Sequence, residues 1–142
     1  MKKRILGFLV TIIVFSMIAA PVSVYSKSFD TYFIGIEPFW QNTSQIILSL
    51  SFSNGTATAS GTIIGKSDAS SISATYSLQE KVGNSWVTVH TWASQSTSGR
   101  TLGFSGTASA TSGKTYRLTV SGSVTNTAGS VESVAGNTER KY

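Results

Sequence analysis

The stretch Gln45-Ile46-Ile47-Leu48-Ser49-Leu50-Ser51-Phe52-Ser53-Asn54-Gly55-Thr56-Ala57-Thr58-Ala59-Ser60-Gly61-Thr62-Ile63-Ile64-Gly65 decides the fold. Asn54-Gly55 is a preferred pair for a two-residue hairpin turn, because both central positions need positive φ. Pairing Ser53 with Thr56 across that turn fixes the rest of the register. Phe52 then faces Ala57, Leu50 faces Ala59, Leu48 faces Gly61 and Ile46 faces Ile63. All of these share one face, with large residues opposite small ones. The other face carries Ser49, Ser51 and Ser53 against Thr56, Thr58, Ser60 and Thr62. One dry face and one wet face are what a sheet of a β-sandwich requires, and a slip of one residue would bury the hydroxyls.

The same alternation continues downstream. Ser71 to Glu80 sends Ile72, Ala74, Tyr76 and Leu78 inward. Gly83-Asn84 turns the chain into Ser85 to Trp92, and Leu102 and Phe104 mark a short fifth strand after Gly99-Arg100. In Lys114 to Val124, the residues Tyr116, Leu118, Val120 and Val124 share a face with Gly122. Asn126 to Gly129 makes a further turn, and Val131 to Ala135 supplies the last strand. Richness in Ser, Thr and Gly would by itself fit a linker, but the periodicity overrules it. The expectation is an all-β domain, a single seven-stranded antiparallel sandwich of the immunoglobulin or fibronectin-III-like kind, over residues 45–136.

Ahead of the body lie two segments of different character. Lys2, Lys3 and Arg4 precede an apolar run from Ile5 to Ala20, and Pro21 ends any helix there. Val24-Tyr25-Ser26 places modest side chains at the −3 and −1 positions of a signal-peptidase site. Residues 1–26 therefore read as a signal peptide cleaved after Ser26, since the apolar run falls short of the roughly 20 residues a spanning helix needs. No cysteine follows the run, which argues against a lipid anchor. Residues 27–44 form an aromatic-rich arm with Phe29, Tyr32, Phe33, Phe39 and Trp40. An arm this apolar needs cover. It either docks on its own sandwich as an edge strand or plug, or reaches a neighbouring chain or a membrane surface. Residues 137–142 read as a short charged tail.

Charge points away from nucleic acid. The whole chain has a formal charge of +5, but past residue 26 eight cations face six carboxylates, a net of +2. That is no footprint for a polyanion the size of DNA. Cysteine is absent, which removes Cys-ligated zinc, thiol catalysis and a disulfide scaffold. The lysine-rich leader and cysteine-free body fit a protein secreted by a Gram-positive bacterium, extracellular and without a stable membrane span after cleavage.

Ser112-Gly113-Lys114-Thr115-Tyr116-Arg117-Leu118 resembles the Gly-x-x-Tyr-x-apolar start of the penultimate strand in fibronectin-like domains. The resemblance implies that the Tyr116 hydroxyl bonds back to the preceding corner. Residues 37–135 also resemble small secreted Gram-positive proteins of unknown function. That likeness rests on Leu-Ser-Phe-Ser-Asn-Gly-Thr-Ala-Thr (50–58), Ser85-Trp86-Val87-Thr88-Val89 and Thr-Tyr-Arg-Leu (115–118). It implies a fold and carries no activity with it.

Catalytic chemistry finds few materials. His90 is the one histidine, and it falls on a solvated strand face. No Gly-x-Ser-x-Gly elbow is present, and the carboxylates are scattered over loops, arm, tail and strand ends. Asp68 lacks the acidic company that calcium wants. Asn42-Thr43-Ser44 and Asn54-Gly55-Thr56 match the glycosylation triplet, which carries no weight in a bacterial protein. No enzyme activity, metal or cofactor is expected.

Aromatic residues supply the candidate site. If Leu78 pairs with Val89, then Trp86, Thr88, His90 and Trp92 all point outward from one strand, a face suited to stacking on sugar rings or meeting a partner. The alternative is a bulge or a longer turn that reverses the register and turns Trp86 or Trp92 into the core. The leading expectation is a non-catalytic extracellular binding or interaction module for a cell-wall glycan or a surface protein. The alternatives are a bacteriocin-like membrane-active effector and a matrix component that self-associates through sheet edges.

Overall fold

The computed structural model describes the backbone of Tyr32–Phe33 and residues 40–142 in full. The leader at 1–26, its cleavage after Ser26 and most of the aromatic arm lie outside the described residues. Among those described there are nine strand segments and no helix. They are β1 (Tyr32–Phe33), β2 (Thr43–Ser53), β3 (Thr56–Gly65), β4 (Ala69–Val82), β5 (Ser85–Thr91), β6 (Gln95–Thr97), β7 (Thr101–Ser109), β8 (Thr115–Asn126) and β9 (Val131–Lys141). All pairings are antiparallel. One sheet runs β1-β2-β3-β7 and the other β5-β4-β8-β9, with β6 also on β4 in line beyond β5.

The β2–β3 hairpin follows from its turn. Asn54 and Gly55 both have positive φ, 48° and 76°, as a I′ turn needs. Ser53 faces Thr56, Phe52 Ala57, Leu50 Ala59, Leu48 Gly61 and Ile46 Ile63. Leu48, Leu50, Ala57, Ala59 and Ile63 are buried. From the second sheet, Ile72, Ala74, Tyr76, Leu78, Tyr116, Leu118, Val120, Val124 and Val134 close the core. The small residues of β3 leave room for large ones opposite. A Cβ on Gly61 would stand 2.6 Å from Tyr76 Cε1, so the ring of β4 occupies the space that the glycine of β3 vacates.

Seven of the strands lie where the alternation placed them. The two additional segments are β1, which brings Tyr32 and Phe33 opposite Leu48 and Ile47, and the short β6. The end of the chain departs from the expected charged tail at 137–142, since β9 continues through it to Lys141. Thr138 and Val134 are buried there, and Tyr142 packs against the core. Tyr142 stacks on Phe52 at 4.9 Å, and its hydroxyl accepts the Gly55 N–H at 2.7 Å. Charged outward positions such as Glu139 and Lys141 hid an inward row of mixed polarity.

At the opposite end, Glu132 of β9 ties down the start of β2. Its carboxylate accepts the backbone N–H groups of Gln41, Asn42 and Thr43 and the Thr43 hydroxyl. Asn42, only 2% exposed, donates through Nδ2 to Val124 O and Ser130 O, and its Oδ1 accepts from Asn126. That amide is fully used in the fold. Burial alone would raise the Glu132 carboxyl, but the hydrogen bonds from Thr43, Gln41 and Asn42 outweigh it and hold the group below its ordinary range.

Candidate binding face

Gly83, at φ 61°, stands first in the two-residue turn Gly83-Asn84, the position that a II′ turn gives to glycine. From it the β4–β5 register runs Val82 with Ser85, Lys81 with Trp86, Glu80 with Val87 and Gln79 with Thr88. There it breaks. Leu78 faces His90 rather than Val89, and Val89 becomes the extra residue of a β-bulge.

The bulge divides the four residues that a regular strand would have aligned. Trp86 and Thr88 stay on the outer face with Lys81 and Gln79. His90 and Trp92 turn to the inner side. The Trp92 ring meets Phe104 edge-on at 5.1 Å, and Phe104 in turn stacks on Tyr76 at 4.1 Å. Trp92 Nε1 donates to Thr107 O at 3.3 Å, and its backbone N–H donates to Tyr76 O. Trp92 is thus the plug of the seam between β4 and β7, where the chain leaves β5 for β6. The extra residue at Val89 is what lets one short stretch turn the Trp86 indole to the outer face and the Trp92 indole to the inner one. His90 is exposed, lies edge-on to Trp92 at 4.8 Å, and makes no ion pair among the described residues.

Around Trp86 the structure gathers residues that the sequence pattern did not connect. Arg117 of β8 lies with its guanidinium 4.4 Å from the Trp86 ring centroid, and Lys81 Nζ is 5.9 Å away. Arg117 reaches across β4, which separates β8 from β5. It is steadied on the way by Gln79, whose Oε1 accepts from Arg117 Nε at 2.9 Å and Nη2 at 2.6 Å. The other end of the same amide donates to Thr88 Oγ1 at 3.2 Å. The one ion pair among the described residues is Lys114 with Glu80, so no described carboxylate neutralises Arg117 or Lys81. An Arg stacked on an indole and held by a neutral amide is a preorganised cation.

Tyr116 sits on the other side of β8, buried. Its hydroxyl accepts the Thr111 N–H at 2.8 Å, five residues upstream, and donates to Glu80 Oε2 at 3.2 Å. The hydrogen bond from Lys114 lowers the Glu80 carboxyl against an opposing effect of burial, and the same bond raises the Lys114 ammonium. These contacts brace the corner between β7 and β8 against β4. Among the described residues, no three of His, Cys, Asp and Glu gather as a metal would need, and no helix is long and apolar enough to cross a membrane.

No family model matches the chain, and no curated protein is significantly similar to it.

Proposed function

We propose that this chain is a secreted, non-catalytic binding module with a sandwich of the fibronectin-III-like kind. Its ligand surface is the outer face of the β5-β4-β8-β9 sheet around Trp86, and its ligand is an anionic polymer such as a carboxylate- or phosphate-bearing cell-wall glycan. The strand order of the two sheets and the bond from Tyr116 to its upstream corner support the fold type. The observation that carries the ligand class is Arg117 lying on Trp86. A ring covered by a guanidinium offers little face to a neutral sugar. The fixed cation, which has no ion-pair partner among the described residues, instead offers bidentate donors to an acidic group.

Binding of the mature protein to immobilised neutral and acidic cell-wall polymers tests this reading. Retention on the acidic polymers alone, falling with salt and lost in Arg117→Gln, is the expected result. Retention on none of them, or retention that Arg117→Gln and Trp86→Ala leave unchanged, refutes it. Secretion is tested separately by the intact mass of the protein in culture supernatant, which should begin at Lys27. Full-length chain held in the membrane fraction would reject that part.

A further inference from the structure

Of the four large apolar residues that stand well exposed among the described residues, three cluster on the β4–β5 hairpin. Val82 is 54% exposed, Val87 48% and Val89 47%. Val82 and Val87 follow one another along the inner side of the hairpin, because Val87 pairs with Glu80 and Val82 with Ser85 one pair nearer the turn, and Val89 stands next along the strand at the bulge. An exposed apolar row beside an unpaired strand edge is the combination that strand addition uses.

The edges of this molecule are not equally guarded. β2 is met by β1 at Ile47 and Leu48. β7 has the Trp92 indole N–H on its Thr107 carbonyl. β9 carries Glu132, Glu139, Arg140 and Lys141. Charges, covering segments and bound side chains are the usual ways of blunting an edge. β5 reads Ser-Trp-Val-Thr-Val-His-Thr, with no Lys, Arg, Asp, Glu, Pro or Gly, and among the described residues nothing pairs with its far side. Its bulge bends the strand past Thr88 and leaves Ser85 to Thr88 regular.

We infer that the free edge of β5 is a self-association surface, on which a second copy of this chain pairs antiparallel about a two-fold axis at Val87. The hydrogen-bond phase sets that axis. In a two-residue hairpin the residues flanking the turn exchange both bonds and the pattern alternates, so Ser85 and Val87 bond to β4. Trp86 and Thr88 therefore direct their N–H and C=O groups outward. A two-fold axis at Val87 sets Trp86 of each copy opposite Thr88 of the other, which joins those groups in four backbone bonds. It also sets the two Val87 side chains against each other as a close, non-hydrogen-bonded pair, and no charged side chain of β5 meets a like charge. Such an edge contact buries much less than the roughly 1,200 Å² of a stable complex, so the dimer is weak and concentration-dependent. This edge adjoins the Arg117 face and shares Trp86 with it, through the Trp86 backbone here and its ring there, so Arg117→Gln tests the ligand face without touching the edge.

Single cysteines test the register, since the chain contains none. Val87→Cys places two thiols on Cα atoms about 4.5 Å apart, within disulfide reach. Thr88→Cys places them two residues out of step, beyond it, and Val131→Cys serves as a control at another exposed valine. The expected result is that Val87→Cys forms covalent dimer at least tenfold faster than either control under mild oxidation. Sedimentation velocity of the cysteine-free protein should show reversible dimer as concentration rises, suppressed by Val87→Lys. Equal cross-linking rates in the three variants, or a monomer at every concentration, would overturn the proposal. So would an edge that takes up an unrelated peptide strand but not its own copy.

Discussion

Trp86→Ala in β5 and Trp92→Ala just past its end remove the same kind of side chain, and the structure assigns them different consequences. Trp92 is half-buried in the seam between the sheets, over Phe104 and Gly106. Taking about half of a buried Trp's roughly 200 Å² at ~25 cal/mol per Å² gives ~2.5 kcal/mol. The edge-on ring pair with Phe104 adds roughly 0.5–1 kcal/mol, so the variant should lose ~3 kcal/mol. With an m-value of about 2 kcal/mol per M, the urea midpoint falls by roughly 1.5 M. Trp86 is also half-buried, but its cover is the long side chains of Arg117 and Lys81. Its removal opens to water instead of leaving a void between sheets, and the lost cation–π contact is worth about 0.5–1 kcal/mol. Equilibrium urea unfolding followed by circular dichroism measures both variants, with unchanged m-values confirming that the two-state comparison holds. Equal midpoint shifts, or a larger one for Trp86→Ala, would mean that the bulge at Val89 is misplaced.

Three further outcomes follow from buried or paired groups. The Tyr76 hydroxyl is buried without a hydrogen-bond partner among the described residues, and burial pushes its pKa up to about 12. Since an unsatisfied buried donor costs roughly 1–3 kcal/mol, Tyr76→Phe should raise the urea midpoint, and a clear fall would reveal a bonded hydroxyl. Leu50→Ser should cost on the order of 2–5 kcal/mol while Ser51→Thr stays nearly neutral, and equal shifts in melting temperature would reverse the face assignment. Glu132 and Glu80 have lowered pKa values, so their stabilisation is present above the unfolded carboxylate value of about 4.3 and is lost as pH falls through the folded ones. Lys114 is raised, so its share holds below about 10.4 and is lost as pH rises through the folded value. Urea midpoints measured across pH should therefore fall at both extremes, and Glu132→Gln should be less stable at pH 7 but lose less on acidification.

Legibility followed how local each determinant was. The hairpin from β2 to β3 could be read because its turn pair and both faces lie within 21 consecutive residues. The β5 register could be read only as far as Thr88. The bulge at Val89 has no Gly or Pro to mark it and answers to a ring on another sheet, Phe104. The Trp86–Arg117 pair was hidden for a related reason. Arg117 was recognisable as an outward residue between Tyr116 and Leu118, yet its target lies two strands away and depends on sheet order. The pairing of Gln79 with Arg117 was the missing link. At β9, alternation was present but its inward row mixes Glu132, Val134, Thr138 and Arg140, so hydrophobicity alone could not show it.

The Glu132 clasp also bears on time. It joins β9 to Gln41–Thr43 across about ninety residues of chain, and these are among the longest-range contacts in the molecule. Loop closure of that span comes at an entropic cost that early contacts do not offset, so the clasp belongs to the last stage of assembly. Interactions absent from the folding transition state act on the unfolding rate and leave the folding rate nearly untouched. Glu132→Gln should accordingly steepen the loss of native protein in stopped-flow unfolding while refolding proceeds at its former speed. For a domain with no disulfide to hold it, a carboxylate that closes last and opens first sets how long the folded state survives among proteases.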